Sequence, residues 1–416
     1  MANVEIMAPA GSFESLNAAI KAGADSIYFG AGKLNMRSRS ANFRLEDLEK
    51  VADICKENNV KAYLALNTIM YDDDIKLMRR VCDKAKKSGI NAVIVSDIAA
   101  MAYARSIGLE VHTSTQLNIS NIEAIRFFSK YANAMVLARE LSLRQIEHIC
   151  MQIKKEKITG HNGNLLKIEL FCHGALCVSI AGKCYMSLAT YNMPANRGEC
   201  LQNCRRAYRV IDEETGNELI LENKYVMSPK DLCTIGFLDK IADAGVSILK
   251  IEGRARSAEY VYTVTKAYKE ALESIKAGSY TKDKIKQWTK NLESVYNRGF
   301  WHGGYYLGKK LGEWSNAYGS KATAEKQYIG KVCNYFNKAG VAEIFLEAGA
   351  LKQYDDVLIT GPTTGIVQAK AEIILKDDKR VSIAQKKEHI TLKIPEKARK
   401  NDKVYVIMPV RAVMDN

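Results

Sequence analysis

The sequence predicts a (β/α)8 barrel, a closed parallel sheet covered by helices, with a cysteine-rich insert and a small C-terminal β-barrel. Over the first 255 residues, short β-rich segments alternate with amphipathic helical segments, and this alternation is typical of a parallel sheet with covering helices. From about residue 325 the pattern changes to six or so short strands separated by turns, which indicates a small closed barrel. No GxGxxG loop supports the alternative fold, a doubly wound open sheet.

Eight β-rich segments make up the predicted barrel, which is the number of strands that closes this fold. The helical segments between them include SFESLNAAIKAG, LEDLEKVADICKENN, DIKLMRRVCDKAKKSG and LSLRQIEHICMQIKK. In chain order the predicted strands are VEIMAPA, SIYFGA, KAYLALNT, AVIVSD, LEVHTST, NAMVLARE, KIELFCHG and SILKIEGR.

Polar residues stand at the carboxyl ends of many of these strands. In a (β/α)8 barrel those ends converge on one rim, and that rim carries the active site. For each residue alone, a helix cap or a turn residue is the simpler interpretation, but the set together favours a polar pocket. The candidate catalytic residues are Asn67, Gln116, Arg139, Glu140, His173, Glu252 and Arg254.

Two of these arginines are candidates for binding an anionic small molecule. A guanidinium group matches the geometry of a carboxylate and stays charged, which favours Arg139 and Arg254 for this role. Each has an acidic neighbour, Glu140 or Glu252, so structural salt bridges are an equal alternative. His173 is a candidate proton shuttle because its unperturbed pKa lies near neutrality, and a hydrogen-bonded rim residue is the simpler interpretation.

A cysteine-rich insert, residues 175–228, interrupts the alternation after the seventh predicted strand. Cys177, Cys184, Cys200 and Cys204 have the spacing C-x6-C-x15-C-x3-C, and thiolates gathered in one polar segment commonly hold iron–sulfur clusters or zinc. Only the last pair resembles a zinc knuckle, and the C-x3-C-x2-C pattern of radical S-adenosylmethionine enzymes is absent. On spacing alone, a 4Fe–4S cluster, a zinc ion and no metal all stay open.

The remaining six cysteines are expected to be mainly core residues, because they lie in apolar surroundings. Cys172 alternates with its neighbours on a predicted strand, which favours a core position. Cys233 follows an aspartate at a predicted helix start and could approach the cluster, so contact with either residue stays open. The other four are Cys55, Cys82, Cys150 and Cys333.

The chain is basic, with 61 Lys and Arg residues against 47 Asp and Glu and a net charge of +14. A basic balance favours nucleic acid or another polyanion as partner, although a solvated lysine-rich surface explains it equally well. Arginines cluster at the end of the insert, directly after the last cysteine. The candidates for binding RNA phosphates are Arg197, Arg205, Arg206 and Arg209.

Three regions are predicted along the chain. Residues 1–275 form the barrel with its insert, residues 276–324 a helical connector, and residues 325–416 the small β-barrel. No apolar run approaches the roughly 20 residues that span a bilayer. The sequence does not begin with a charged segment followed by an apolar stretch, so no secretory signal is indicated. The expected location is therefore the cytoplasm.

Several segments resemble the collagenase-like peptidase family of unknown catalytic type, family U32. They are ELFCHGALCVSIAGKC, NRGECLQNCRRAY, SPKDL and SILKIEGRARS, and the amino-terminal MAPAGSFESLNAAIKAGADSIYFG agrees with them. The resemblance covers essentially the whole chain, and by length and the CRRAY ending it is closest to the prephenate-dependent tRNA uridine 5-hydroxylases. The chain departs from the family pattern at two places: Cys172 stands where an aliphatic residue is expected, and AGKC replaces the more usual SGRC. Neither change affects the four insert cysteines.

This resemblance implies a tRNA-modifying enzyme that converts the wobble uridine to 5-hydroxyuridine, with oxygen that is not drawn from dioxygen. It implies a 4Fe–4S cluster on the four insert cysteines and prephenate as co-substrate. The expected partner is tRNA, no membrane is expected, and a family paralogue or a second copy of the chain stays open as a protein partner.

Three alternatives remain: a collagenase-like peptidase, an rRNA hydroxylase, and an RNA-binding protein with structural zinc. The family's rRNA cytidine hydroxylases look longer than this chain. Proteolysis is disfavoured because the sequence has no GxSxG elbow and no HExxH helix. Cys172 and His173 cannot easily form a catalytic pair, since neighbours on a strand point to opposite faces.

Overall fold

Eight parallel strands close into a barrel in the computed structural model of the chain. Strands β1 to β7 pair in sequence order, and β9 pairs with both β7 and β1 and thereby closes the sheet. The structure describes residues 4–209, 211–217, 227–308, 314–315, 317 and 319–410. The first nine strands are β1 (Glu5–Ala10), β2 (Ser26–Gly30), β3 (Lys61–Leu66), β4 (Ala92–Val95), β5 (Glu110–Thr113), β6 (Ala134–Val136), β7 (Lys167–Gly174), β8 (Asp231–Cys233) and β9 (Ile248–Ile251).

The predicted (β/α)8 fold is therefore confirmed, and the open-sheet alternative is wrong. Each of the eight predicted strands overlaps one of the barrel strands β1 to β7 and β9. The short strand β8 lies outside the closed ring and pairs antiparallel with the end of β7.

Helices cover the outside of the barrel, as the alternating pattern predicts. Helix α2 shows why: it buries Leu48, Val51, Ala52 and Cys55, the spacing of one helical face. Side chains cap several helix starts, as where Ser12 accepts from the backbone of Ser15 at α1. The helices are α1 (Phe13–Lys21), α2 (Leu48–Glu57), α3 (Ile75–Lys87), α4 (Ile98–Ser106), α5 (Ile122–Phe128), α6 (Leu143–Glu156), α7 (Met186–Tyr191), α8 (Leu238–Asp243), α9 (Ala258–Lys276) and α10 (Lys282–Glu293).

The barrel interior contains charged residues as well as the expected apolar ones. Lys250 on β9 lies 2.6 Å from Glu169 on β7, and both side chains are almost fully buried. His112 on β5 lies 3.6 Å from the other oxygen of Glu169. Breaking a buried ion pair is costly, so this network fixes the position of Lys250, which lines the cavity described below.

The C-terminal region forms an antiparallel sheet with its own core. After β10 (Phe300–His302), which pairs parallel with β8, eight strands join in the order β15-β14-β20-β11-β12-β19-β16-β17, and β13 pairs with β18. The strands are β11 (Ala324–Phe336), β12 (Val341–Leu346), β13 (Leu351–Lys352), β14 (Asp356–Gly361), β15 (Gly365–Lys370), β16 (Ile374–Lys376), β17 (Lys379–Val381), β18 (Ile383–Ala384), β19 (His389–Lys393) and β20 (Lys403–Pro409).

This sheet packs against the side of the barrel. Ala18 on α1 and Ala258 on α9 share a buried apolar cluster with Leu358 and Ile366 of the sheet. Lys326 pairs with Glu259 on α9 at 2.8 Å. In the described part of the chain no helix is long and apolar enough to cross a membrane.

Candidate functional site

A cavity of about 360 Å³ opens at the rim where the barrel strands end, beneath the cysteine-rich insert. This volume lies at the lower end of the range for small-molecule sites, which is about 300–1,000 Å³. The structure thus brings together most of the residues that the strand ends predict. Those that line the cavity are Asn67, Gln116, Arg139, Glu140, Glu252, Arg254, Arg205 and the four insert cysteines Cys177, Cys184, Cys200 and Cys204.

Glu252 is a fixed carboxylate in the cavity wall. Its Oε1 atom lies 2.8 Å from Nη2 of Arg37, and the hydroxyl of Tyr28 lies 3.4 Å from its Oε2. Burial would raise the pKa of Glu252, but the nearby cations of Arg37, Arg139 and Arg254 outweigh it and lower the pKa to about 2. Glu252 therefore carries no proton to donate at neutral pH.

Arg254 is held in the wall beside Glu252. It is only 5% exposed, and its Nη1 donates to Oδ1 of Asn35 at 3.0 Å. A Cβ at Gly30 would lie 2.7 Å from the same nitrogen, so this glycine makes room for the guanidinium group. Burial lowers the pKa of Arg254 to about 10, which leaves it charged at neutral pH.

Arg139 has more capacity to bind a ligand. Its guanidinium carbon lies 4.0 Å from the ring centroid of Phe171, a stacked cation–π arrangement. Nη1 donates to the backbone oxygen of Ala175 at 3.2 Å, while the buried Nε has no hydrogen-bond partner within the described ranges. The planar group is thus oriented by the ring and lines the cavity that an anion would enter.

Sequence reasoning missed Lys250, which lines the cavity. Its Nζ lies 4.5 Å from the ring centroid of Tyr28, in addition to its pairing with Glu169. The alternation of Lys250, Glu252 and Arg254 could have revealed it, because residues two apart on a strand face the same side. Arg37 gave no such signal, since it lies in the loop after β2.

The four insert cysteines face the same cavity. Cys177 and Cys200 are exposed, while Cys184 and Cys204 are half-buried. Burial raises the pKa of the Cys204 thiol to about 11, despite the opposing charge of Arg205. With nothing bound, Cys204 is therefore a neutral thiol at neutral pH rather than a ready nucleophile.

The two spare cysteines lie elsewhere. Cys172 and Cys233 are fully buried, and neither is among the residues that line the cavity. Burial raises the pKa of Cys233 to about 12 and that of Cys172 well above its usual value. The structure thus supports the expected core position of Cys172 and contradicts the approach of Cys233 to the cluster site.

Side chains of the rim hold the insert by donating hydrogen bonds to its backbone. Asn118 donates to the carbonyl of Ala181 at 3.2 Å, between the first two insert cysteines. Ser38 donates to the carbonyl of Gly198 at 3.1 Å, close to the third. A Cβ at Gly198 would overlap the backbone oxygen of Asn35, and its φ of 86° favours glycine.

We expect Gly198→Ala to destabilise the protein more than Gly163→Ala. Both glycines have positive φ, but nothing lies within 4 Å of a Cβ at Gly163. The free energy of unfolding of the control, Gly163→Ala, should therefore fall by about 1–2 kcal/mol because of the left-handed conformation alone. That of Gly198→Ala should fall by about 1–3 kcal/mol more, because its Cβ also overlaps Asn35. The free energy of unfolding in denaturant measures both, and equal losses would show that the insert does not approach Asn35.

The structure assigns Arg205 to holding the insert, which corrects its predicted role in binding RNA phosphates. Its guanidinium group donates to the carbonyl oxygens of Leu176 at 2.5 Å and Pro229 at 2.6 Å, and to the hydroxyl of Ser228 at 3.0 Å. Burial lowers the pKa of Arg205. These bonds fix the backbone immediately before Cys177.

Arg197 needs a similar correction. It donates to the carbonyl of Ile69 at 2.8 Å and pairs with Asp74, which ties the insert to the loop after β3. Arg206 and Arg209 are exposed, so contact with phosphates stays a prediction for these two.

His173 is a buried residue of the barrel wall rather than the predicted proton shuttle. It is 1% exposed, does not line the cavity, and packs against the rings of Tyr260, Tyr268 and Phe300. Burial, together with the charge of nearby His302, lowers the pKa of His173 to about 3. It therefore stays neutral at neutral pH and has no path to a substrate.

Replacing His173 by phenylalanine should make folding less sensitive to acid. The unfolded histidine takes a proton below about pH 6.5, whereas the folded one does so only near pH 3. The stability of the wild type should thus fall by about 2 kcal/mol more than that of His173→Phe between about pH 7 and pH 5. Unfolding in denaturant at both pH values tests this, with the exposed His148 replaced as control. Identical pH dependence of wild type and His173→Phe would contradict the buried position.

Comparisons with known proteins give relatives of two kinds. Residues 11–316 match the family described as Peptidase family U32. A collagenase of Porphyromonas gingivalis is 55% identical over 402 residues, covering 96% of this chain and 97% of the relative. The tRNA hydroxylation protein P1 of Bacillus subtilis is 29% identical over 370 residues, covering 86% of this chain and 83% of the relative. A 23S rRNA 5-hydroxycytidine synthase of Escherichia coli is 33% identical over 273 residues, covering 65% of this chain and 40% of the relative.

Proposed function

The chain belongs to peptidase family U32, and from this premise and the rim cavity we propose that it hydroxylates RNA. The proposed reaction converts the C5–H bond of the wobble uridine of tRNA into C5–OH, a two-electron oxidation. Prephenate is the proposed anionic co-substrate and oxygen donor: a C–O bond of prephenate breaks, its oxygen passes to C5, and the product derived from prephenate takes up the hydrogen and is reduced by two electrons. The proposed location is the cytoplasm. The two relatives named for RNA hydroxylation and the net charge of +14 support the proposal.

The observation that carries this proposal is a single cavity lined by four thiols and several arginines. Thiolates hold redox clusters, and arginines bind carboxylates and phosphates. Their meeting at the active-site rim of a (β/α)8 barrel suits an oxidation carried out on an anionic substrate.

Cys177, Cys184, Cys200 and Cys204 are the residues that would hold the proposed 4Fe–4S cluster, which supplies redox chemistry when bound. Within the described ranges, no three His, Cys, Asp or Glu side chains converge closely enough to bind a single metal ion. Each iron of a 4Fe–4S cluster takes its own thiolate, so the four ligands can lie further apart than those of one zinc ion. Metal and sulfide analysis of the purified protein decides between the cluster and the zinc alternative.

The protein's own groups would bind and orient the substrates. Arg139, oriented on Phe171, is the proposed partner of a prephenate carboxylate. Glu252 is held by its half-buried pair with Arg37, and Lys250 by its buried pair with Glu169. These residues therefore give the cavity fixed charges that need not reorganise when substrate binds. Arg254 shapes the wall rather than clamping the ligand.

The relative named collagenase, at 55% identity, keeps a peptidase as the second candidate. A cysteine peptidase needs a thiolate within reach of a histidine. Cys172 and His173 are both buried outside the cavity, and the pKa of the Cys204 thiol is about 11. These observations weigh against a cysteine peptidase that uses Cys172, His173 or Cys204. The rRNA alternative is weaker because the chain spans only 40% of the rRNA synthase.

Mass spectrometry of tRNA nucleosides tests the proposal in cells. In a host without other family members, expression of the wild-type chain should produce 5-hydroxyuridine, and expression of Cys184→Ala should not. The His173→Phe chain serves as control and should produce it normally. Absence of 5-hydroxyuridine from all strains, together with cleavage of collagen by the wild-type chain, would favour the peptidase.

A further inference from the structure

Three tyrosine rings are exposed around the mouth of the cavity. Tyr71, Tyr185 and Tyr191 are 56%, 72% and 43% exposed. Tyr185 directly follows the cavity-lining Cys184, and Tyr191 ends helix α7, whose Met186 also lines the cavity. Tyr185 and Tyr191 therefore belong to the same part of the insert as residues that line the cavity.

The loop that carries Tyr71 is joined to the insert. The backbone nitrogen of Ile69 donates to the carbonyl of Asn196 at 3.2 Å, and Arg197 donates to the carbonyl of Ile69 at 2.8 Å. All three tyrosines thus stand on connected parts of the rim.

Arginines lie against two of these rings. The guanidinium carbon of Arg197 is 4.2 Å from the ring centroid of Tyr71, and that of Arg206 is 5.2 Å from the ring centroid of Tyr191. Arg206 also donates to the Tyr191 hydroxyl. A cation on one face orients the ring and places positive charge beside the face that remains open.

We propose that Tyr71, Tyr185, Tyr191 and Arg206 form a stacking platform for single-stranded RNA at the cavity mouth. This inference rests on the proposed function. A nucleotide that enters the cavity leaves its neighbours unstacked, and the exposed rings replace the lost stacking. Stacking on aromatic side chains does not depend on base identity, so the platform binds flanking nucleotides of any sequence.

Aromatic residues and arginines are also common in protein–protein interfaces, so a protein partner is the competing occupant. RNA is favoured because Tyr185 stands between the cavity-lining residues Cys184 and Met186 and because the chain carries a net charge of +14. The exposed Arg39, which also lines the cavity, adds a further cation where phosphates would pass.

Fluorescence anisotropy with the anaerobically purified full chain and a labelled RNA stem-loop tests the platform. Tyr185→Ala and Tyr191→Ala should each weaken binding about tenfold, within the range for loss of one stacked base. Tyr185→Phe should bind like wild type, because stacking needs the ring and not the hydroxyl. Tyr354, 62% exposed in the turn between β13 and β14, is the matched control, and Tyr354→Ala should leave the affinity for RNA unchanged.

Salt dependence separates stacking from charge. Tyr185→Ala should keep the wild-type dependence of affinity on salt, whereas Arg206→Ala should reduce it. Wild-type affinity for the stem-loop in Tyr185→Ala and Tyr191→Ala would overturn the platform while leaving the proposed function intact. Equal losses in Tyr354→Ala would also overturn it. Failure of the wild-type protein to bind any RNA would overturn both the platform and the proposed function.

Discussion

A chain in which Cys184 or Cys204 is replaced by alanine should lose most of its iron and all detectable hydroxylation. All four insert cysteines line one cavity, and removing one leaves an iron of the proposed cluster without its protein ligand. Cys333 is the matched control, since it lies on β11 of the C-terminal sheet and outside the cavity. Cys333→Ala should keep wild-type iron content and activity.

Iron, sulfide and zinc analysis of anaerobically purified protein, with an absorption spectrum, measures this effect. About four irons and four sulfides per chain are expected for the cluster, and one zinc would indicate the structural alternative. Full iron incorporation with any two of the four cysteines replaced would contradict the ligand assignment.

Arg139→Met should abolish use of prephenate at concentrations that saturate the wild type. Its guanidinium group is oriented by Phe171 and lines the cavity, and loss of a charge-assisted contact to a ligand costs about 2–5 kcal/mol. Arg139→Lys keeps the charge but not the planar fork, so it should raise KM for prephenate with a smaller loss in kcat.

Arg254→Met should act differently, because Arg254 is buried and bonded to Asn35. It should lower the free energy of unfolding, whereas Arg139→Met should affect mainly activity. Arg126, which pairs with Glu156 on the outer surface, supplies the control, and Arg126→Met should leave activity unchanged. Unaltered KM for prephenate in Arg139→Lys and Arg139→Met would remove Arg139 from ligand binding.

The barrel could be predicted because its strands are short apolar runs between amphipathic helices, a pattern fixed by burial on both faces of a parallel sheet. Strand β8, only three residues long, has no such periodicity and was missed. In the C-terminal sheet, each of the hairpins β14–β15 and β16–β17 falls within a stretch of sequence that resembles a single strand.

The site was predictable to the extent that strand ends converge. Asn67, Gln116 and Glu252 line the cavity, as predicted, for that reason. A cluster of positive charges in the sequence does not show what each side chain binds. Arg205 was therefore predicted to bind phosphate, whereas in the structure it donates to the backbone carbonyls of Pro229 and Leu176. His173 likewise stands at a strand end but faces the packed wall.

The most direct test of the central claim is hydroxylation by the purified protein. The anaerobically purified chain is incubated with unmodified tRNA and prephenate without dioxygen, and the nucleosides are analysed by mass spectrometry. A uridine should gain one oxygen atom, the gain should require prephenate, and Cys204→Ala should abolish it. An iron–sulfur-loaded preparation that leaves every nucleoside unchanged while it cleaves collagen would contradict the account.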